Sequence, residues 1–208
     1  MHASSIPYEV TGSIETANPG TVFFPGDFLH LGSPEAIHTT FSRLTTADKL
    51  TRLAKGIYLK PKIDPELGVI KPSLEELAHK IADRDKATIR PTGSYALNVL
   101  GLSTQVPTKV VYLTNGNPKR IKIGKGQIVF KKAPPKQLAV QSEMVFLAIQ
   151  ALIELGERAK TEKVINQLTT LLSRESPKDI LEGARLAPHR VARILYLILE
   201  KLKANQND

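Results

Sequence analysis

The chain contains no cysteine and no tryptophan, and its first 42 residues contain no lysine or arginine. Without cysteine there can be no disulfide, no thiolate nucleophile and no cysteine metal site, which fits a reducing cytoplasm as the expected location. No run of about 18 apolar residues occurs, so neither a transmembrane helix nor a membrane partner is expected. The start, Met1 to Ser5, lacks the basic segment and apolar core of a signal peptide. The patterns H-E-x-x-H, G-x-S-x-G, S-x-x-K and G-x-G-x-x-G after a strand are all missing. The five histidines (His2, His30, His38, His79 and His189) are scattered and form no pair at i and i+4. Gly116 to Gly126 is basic and glycine-containing, but Gln127 breaks the phosphate-loop order. Glu75-Glu76 and Asp83 with Asp85 are expected on a solvated helix face. No catalytic residue, metal or cofactor is expected, and the chain is not read as an enzyme.

What is present is positive charge, unevenly placed. The chain has 208 residues, a net charge of +9 and 41% hydrophobic residues, enough for a packed core. Residues 1–42 carry Glu9, Glu15, Asp27 and Glu35, a net −4. Residues 43–62 carry Arg43, Lys49, Arg52, Lys55, Lys60 and Lys62 against Asp48, a net +5. Residues 119–132 carry Lys119, Arg120, Lys122, Lys125, Lys131 and Lys132 with no acid, a net +6. Two local concentrations favour a polyanionic partner more than an evenly basic surface would, although lysines also serve solubility alone.

The stretch with the clearest mechanical meaning is 25–62. Pro25 to Leu31 can form a short helix, and Gly32-Ser33 a tight turn. Ser33 can cap a second helix that Pro34 opens. Ile37, Phe41 and Leu44 share one face of it, and Glu35, Thr39, Ser42 and Thr46 the other, flanked by His38 and Arg43. Two strand-like runs, 50–53 and 57–60, follow across Ala54-Lys55-Gly56, where glycine permits the bend. Helix, turn, helix and basic hairpin are the parts of a winged helix-turn-helix DNA reader. The expected DNA-binding residues are Ser33, Glu35, His38, Thr39, Ser42, Arg43, Arg52, Lys55, Lys60 and Lys62. A polar-faced amphipathic helix is more often a plain surface helix; the order of elements is what raises the DNA reading.

Around this stretch, residues 6–17 read as a helix and 21–24 as a short strand pairing with the wing. Residues 61–73, with three prolines, read as a connector. Helices are expected from Ser73 to about Arg84 and over Tyr95 to Leu100. Residues 107–131 read as a strand and a basic hairpin, hence a small antiparallel sheet. Its lysines and Arg120 form a second basic patch, either functional or guarding a sheet edge. Residues 142–155 are apolar almost all round and must be covered on several sides. Further helices are expected over 162–172, from Pro177 to Leu186 and from Pro188 onward, with a frayed tail from Ala204. The fold class is therefore α+β: an N-terminal winged helix-turn-helix domain (1–64), then a domain (65–208) in which a C-terminal helical layer packs on a small antiparallel sheet.

Residues 25–59, ending in Gly56-Ile57-Tyr58, resemble the winged helix that opens the AbiEi-type antitoxins of type IV toxin–antitoxin systems. Arg90-Pro91-Thr92-Gly93-Ser94-Tyr95-Ala96-Leu97-Asn98 and the 101–107 block (Gly-Leu-Ser-Thr-Gln-Val-Pro) resemble bacterial proteins grouped with those antitoxins. The resemblance covers roughly Thr21 to Leu155. It implies a DNA-binding antitoxin that represses its own operon by binding double-stranded operator DNA, with a nucleotidyltransferase-like toxin as partner. It carries over no catalytic residue, and the C-terminal helices do not align with the antitoxin domain of better-known members. A plain winged-helix repressor whose C-terminal part forms a homodimer or senses a ligand, and a protein-interaction module, are the alternatives.

Overall fold

A computed structural model describes residues 6–105 and 107–204. Met1 to Ser5 with His2, Val106 inside the 101–107 block, and the tail beyond Ala204 lie outside the described residues. The chain is α+β and divides into two compact units. One holds the chain as far as Lys80 together with Ile121–Lys125, and the other holds the rest from Ile81 onward.

In the first unit, α1 (Ile6–Thr16) and α2 (Pro34–Thr46) each bury one face. Ser33 caps α2, its hydroxyl accepting from the Ala36 amide at 3.3 Å. Ile37, Phe41 and Leu44 are buried as their spacing predicts, and Thr40 is buried with them. Its hydroxyl donates to the Ala36 carbonyl at 2.9 Å, which satisfies a polar group inside the core. Between the helices lie β1 (Val22–Phe23) and a 3-10 turn, Pro25–Leu31. The Phe41 ring packs 5.5 Å from Phe28 of that turn and 4.9 Å from Tyr58. Burying such a ring contributes about 1.5–3 kcal/mol. Strands β2 (Thr51–Ala54) and β3 (Ile57–Leu59) form a hairpin, and β1 joins it antiparallel to β3 with Val22 opposite Leu59. The hairpin turns through Lys55-Gly56, with Gly56 at φ +72°, a backbone conformation that costs other residues energy.

The segment expected to be a plain connector contains a second hairpin, β4 (Lys62–Asp64) and β5 (Gly68–Ile70), with Ile63 opposite Val69. Asp64 makes the turn: its carboxylate accepts from the amides of Glu66 at 2.9 Å and Leu67 at 3.0 Å. Those amides hold its carboxyl below the usual aspartate range. Helix α3 (Leu74–Arg84) starts with a reciprocal cap. The Ser73 amide donates to Glu76 at 2.7 Å, and the Glu76 amide to the Ser73 hydroxyl at 3.1 Å.

After α3 the chain forms β6 (Ile89–Thr92), α4 (Ser94–Val99), β7 (Lys109–Thr114), β8 (Lys119–Ile123) and β9 (Gly126–Lys132). The strand order is β6-β7-β9-β8, with β6 antiparallel to β7 and β9 parallel to it. This corrects the expectation of an antiparallel sheet over 107–131. The β8–β9 hairpin attaches by its second strand, which puts β8 on the outer edge. Strand β6 lies outside the expected elements; as an edge strand it tolerates Pro91, which a central strand would not. After α5 (Pro135–Leu138) come α6 (Glu143–Leu155), a 3-10 turn at Gly156–Lys160, α7 (Glu162–Leu172), α8 (Pro177–Leu186) and α9 (His189–Ala204). Every residue of α6 from Val145 to Leu152 is buried, as its all-round apolar sequence requires. Phe146, Leu152, Leu168, Ile180, Leu195 and Ile198 form the centre of this core. No helix among the described residues is long and apolar enough to cross a membrane.

Candidate nucleic-acid interface

The inward face of α2 is fixed by Ile37, Phe41 and Leu44, so its remaining face points to solvent. Glu35, His38, Thr39, Ser42, Arg43 and Thr46 are all exposed on it. The Thr39 hydroxyl donates to the Glu35 carbonyl at 2.8 Å and the Thr46 hydroxyl to the Ser42 carbonyl at 3.1 Å. Each keeps its lone pairs available as an acceptor. Ser33 is exposed too, but its oxygen is engaged as the helix cap.

The cations expected on the wing separate into two kinds. Arg52 and Lys55 are exposed on the β2–β3 hairpin, with Arg52 Nε reaching the Ala54 carbonyl at 3.4 Å. Lys62 is exposed at the start of β4. Lys60 is turned inward: its ammonium donates to the carbonyls of Glu15 at 2.6 Å and Ala17 at 2.7 Å. These lie at the C-terminal end of α1, where carbonyls lack helical partners. Two of the three N–H donors of Lys60 are therefore engaged at the end of α1. Lys49 bonds Glu15 at 2.5 Å, and that hydrogen bond holds the Glu15 carboxyl below the usual glutamate range. Of the basic residues in 43–62, those left open are Arg43, Arg52, Lys55 and Lys62. Two lysines outside the expected set, Lys71 and Lys80, join Lys62 around a cavity of about 350 Å³. Their convergence depends on the β4–β5 hairpin.

The second basic patch divides in the same way. Lys119 is ion-paired with Asp85 and lies 5.4 Å from the Phe130 ring centre. Partial burial opposes ionisation of Asp85, but hydrogen bonds from Lys119 and Arg84 outweigh it and hold its carboxyl below the usual aspartate range. Lys132 donates to the carbonyls of Asn115 at 2.6 Å and Gly116 at 3.3 Å. Arg120, Lys122, Lys125 and Lys131 remain exposed.

Several residues from Arg90 to Ser103 are engaged in bonds within the protein. Arg90 is 8% exposed; it bonds the Glu143 carboxylate at 2.8 Å and the carbonyls of Val140 and Ser142, and lies 3.7 Å over the Phe146 ring. The Thr92 hydroxyl donates to Gln150 at 2.6 Å. Asn98 donates to the Ser103 and Gln105 carbonyls, and Gln167 to that of Gly101. These bonds tie β6 and the loop after α4 to the helices. They also frame a polar cavity of about 630 Å³ bordered by Gly93, Ser103, Lys109, Lys131 and Glu154. Among the described residues no group of histidine and carboxylate side chains could hold a metal ion.

Residues 9–180 match the model of a family described as "Family of unknown function (DUF6088)". The chain belongs to the DUF6088 family. No curated protein matches this DUF6088 chain. It is similar to the crystal structure of the RV2827C protein from Mycobacterium tuberculosis, at 16% identity and a TM-score of 0.43, over 90% of this chain and 79% of that one.

Proposed function

We propose that residues 25–62 are a winged helix-turn-helix that binds double-stranded DNA, with α2 in the major groove and the β2–β3 hairpin along the backbone. The observation that carries this reading is the exposed face of α2, lined with hydrogen-bonding side chains and followed directly by a hairpin with open cations. Arg43, Ser42, Thr39 and His38 are the base-edge candidates, since arginine can bond guanine and hydroxyls can bond any base. Arg52, Lys55 and Lys62 are the phosphate candidates, which position the protein without reading sequence. Glu35 stands in the first turn of α2, where a carboxylate suits the helix dipole and can accept from cytosine. The resemblance to AbiEi-type antitoxins supports the finer reading: a repressor of its own operon that counters a nucleotidyltransferase-like toxin.

The test is fluorescence anisotropy of the full chain with a duplex taken from upstream of its own gene. Binding should exceed that of a scrambled duplex and weaken steeply between about 50 and 200 mM salt. Equal, salt-insensitive binding to both duplexes would remove the DNA reading. Co-expression with an adjacent nucleotidyltransferase gene tests the antitoxin role, which predicts rescued growth.

A further inference from the structure

The second unit carries a groove that DNA binding by the first does not use. The Gly156–Lys160 turn, α7 and α9 border an open cavity of about 610 Å³. Lys160, His189, Arg190 and Arg193 supply its polar wall, and Ile165, Ile194 and Leu197 its apolar floor. Among the described residues no carboxylate lines it. The acid tied to this wall is the exposed Glu157, which bonds Lys160 at 2.6 Å. That bond holds the Glu157 carboxyl below the usual range, with Arg190 adding a weaker pull. Lys160, Arg190 and Arg193 thus line the groove, with Glu157 beside Lys160 and Glu200 farther along α9.

Helix α9 explains the arrangement. Val191, Ala192, Leu195, Ile198 and Leu199 are buried and fix its inner face. The outer face then presents Arg190, Arg193, Tyr196, Leu197 and Glu200 at helical spacing. Tyr196 and Leu197 are each 41% exposed, large side chains on the solvent face of the helix. Arginine and tyrosine together are the residue types that most often anchor protein interfaces. The first turn of α9 contains His189 and Arg190 and no acid, so its charge opposes the helix dipole and works against the helix's own stability. Arg190 has one structural duty, donating to the Ile153 carbonyl in the last turn of α6 at 3.1 Å. Among the described residues Arg193 has no comparable duty.

We propose that this groove docks a segment of a partner protein in which carboxylates stand beside aliphatic side chains. Charge complementarity calls for the carboxylates, and the floor of Ile165, Ile194 and Leu197 calls for the aliphatic groups. A nucleic-acid strand would answer the cations but lay sugar and phosphate on that floor. From Arg190 to Leu197 the groove spans about 10 Å, two turns of helix, which suits a short segment held by a few anchors. Glu200, one turn beyond Tyr196, repels a carboxylate, so the acidic end of the segment lies toward Arg193 and Lys160. The inference stands whether or not the first unit binds DNA.

The probe is a synthetic peptide of about 14 residues, glutamates in one half and leucines at helical spacing in the other. Its binding to the isotope-labelled full chain is followed by amide chemical shifts and by anisotropy. Shifts should cluster on the Gly156–Lys160 turn, α7 and α9. Arg193→Glu and Leu197→Asp should each weaken binding about tenfold or more. Lys203→Glu, on α9 outside the groove, should not, and thermal melts check that every variant folds. Replacing the leucines of the peptide by serine should also abolish binding. The proposal fails if the serine peptide binds equally well, if shifts fall elsewhere, or if Arg193→Glu leaves the affinity unchanged. It fails equally if Arg193→Glu weakens duplex DNA binding, or if the wild-type chain self-associates in sedimentation and this variant does not.

Discussion

The hairpins β2–β3 and β8–β9 are built alike. Each turns through two residues, Lys55-Gly56 and Gly124-Lys125, and each turn glycine sits at positive φ, +72° and +56°. Both are basic, yet their settings differ. The first follows a helix whose exposed face holds His38, Thr39, Ser42 and Arg43. The second lies at the edge of a four-stranded sheet and gives Lys119 to Asp85 and Lys132 to the carbonyls of Asn115 and Gly116. Lysines at a sheet edge also discourage pairing with another chain. Charge density finds both hairpins; what adjoins each one, and what its cations already hold, separates the hairpin we propose to face DNA from the other.

The largest effect is expected from removing the support beneath α2. Phe41 is fully buried between Phe28 and Tyr58. Phe41→Ala should destabilise the first unit by about 3–5 kcal/mol in urea denaturation and abolish duplex binding. A loss below about 1 kcal/mol would contradict the packing described for α2.

Next in size is Arg43→Ala. A bidentate contact to guanine is worth about 1–3 kcal/mol of discrimination. Binding-site selection should therefore show relaxed preference at one operator position. Uniform loss at every position would move Arg43 to the backbone.

How much of this was legible in the sequence depends on the range of the contact. The periodicity of Ile37, Phe41 and Leu44, the Ser33-Pro34 start and the all-apolar 142–155 run act over a few residues, and those helices were readable. The β4–β5 hairpin was not, because its turn rests on Asp64 accepting two amides in a stretch dominated by prolines. Nor was the parallel pairing of β7 and β9, since adjacency in sequence favours an antiparallel meander. Of the candidate site, the exposed face of α2 could be read directly. The inward role of Lys60 could not, as it reaches back 45 residues to Glu15 and nothing local marks it.

Smaller effects test the second hairpin. Lys119→Ala should cost less than about 1 kcal/mol, because the pair with Asp85 is partly exposed, and it should leave duplex affinity unchanged. Lost duplex affinity would put β8–β9 in the interface and break the comparison. The same pair has a pH signature. Because the folded state lowers the proton affinity of Asp85, the pair stabilises the protein above the ordinary aspartate value of 3.8 and loses this as pH falls through the lower folded value. Asp85→Asn should flatten the acid limb of a stability–pH profile slightly; an unchanged limb would mean the pair is too well solvated to matter.

The salt dependence of duplex binding for Lys55→Ala beside Lys122→Ala, a lysine from each hairpin, decides which hairpin meets DNA. If β2–β3 lies along the DNA backbone, Lys55→Ala lowers the slope of log affinity against log salt by about one unit and Lys122→Ala leaves it unchanged. The reverse pattern, with the slope falling only for Lys122→Ala, would contradict the account.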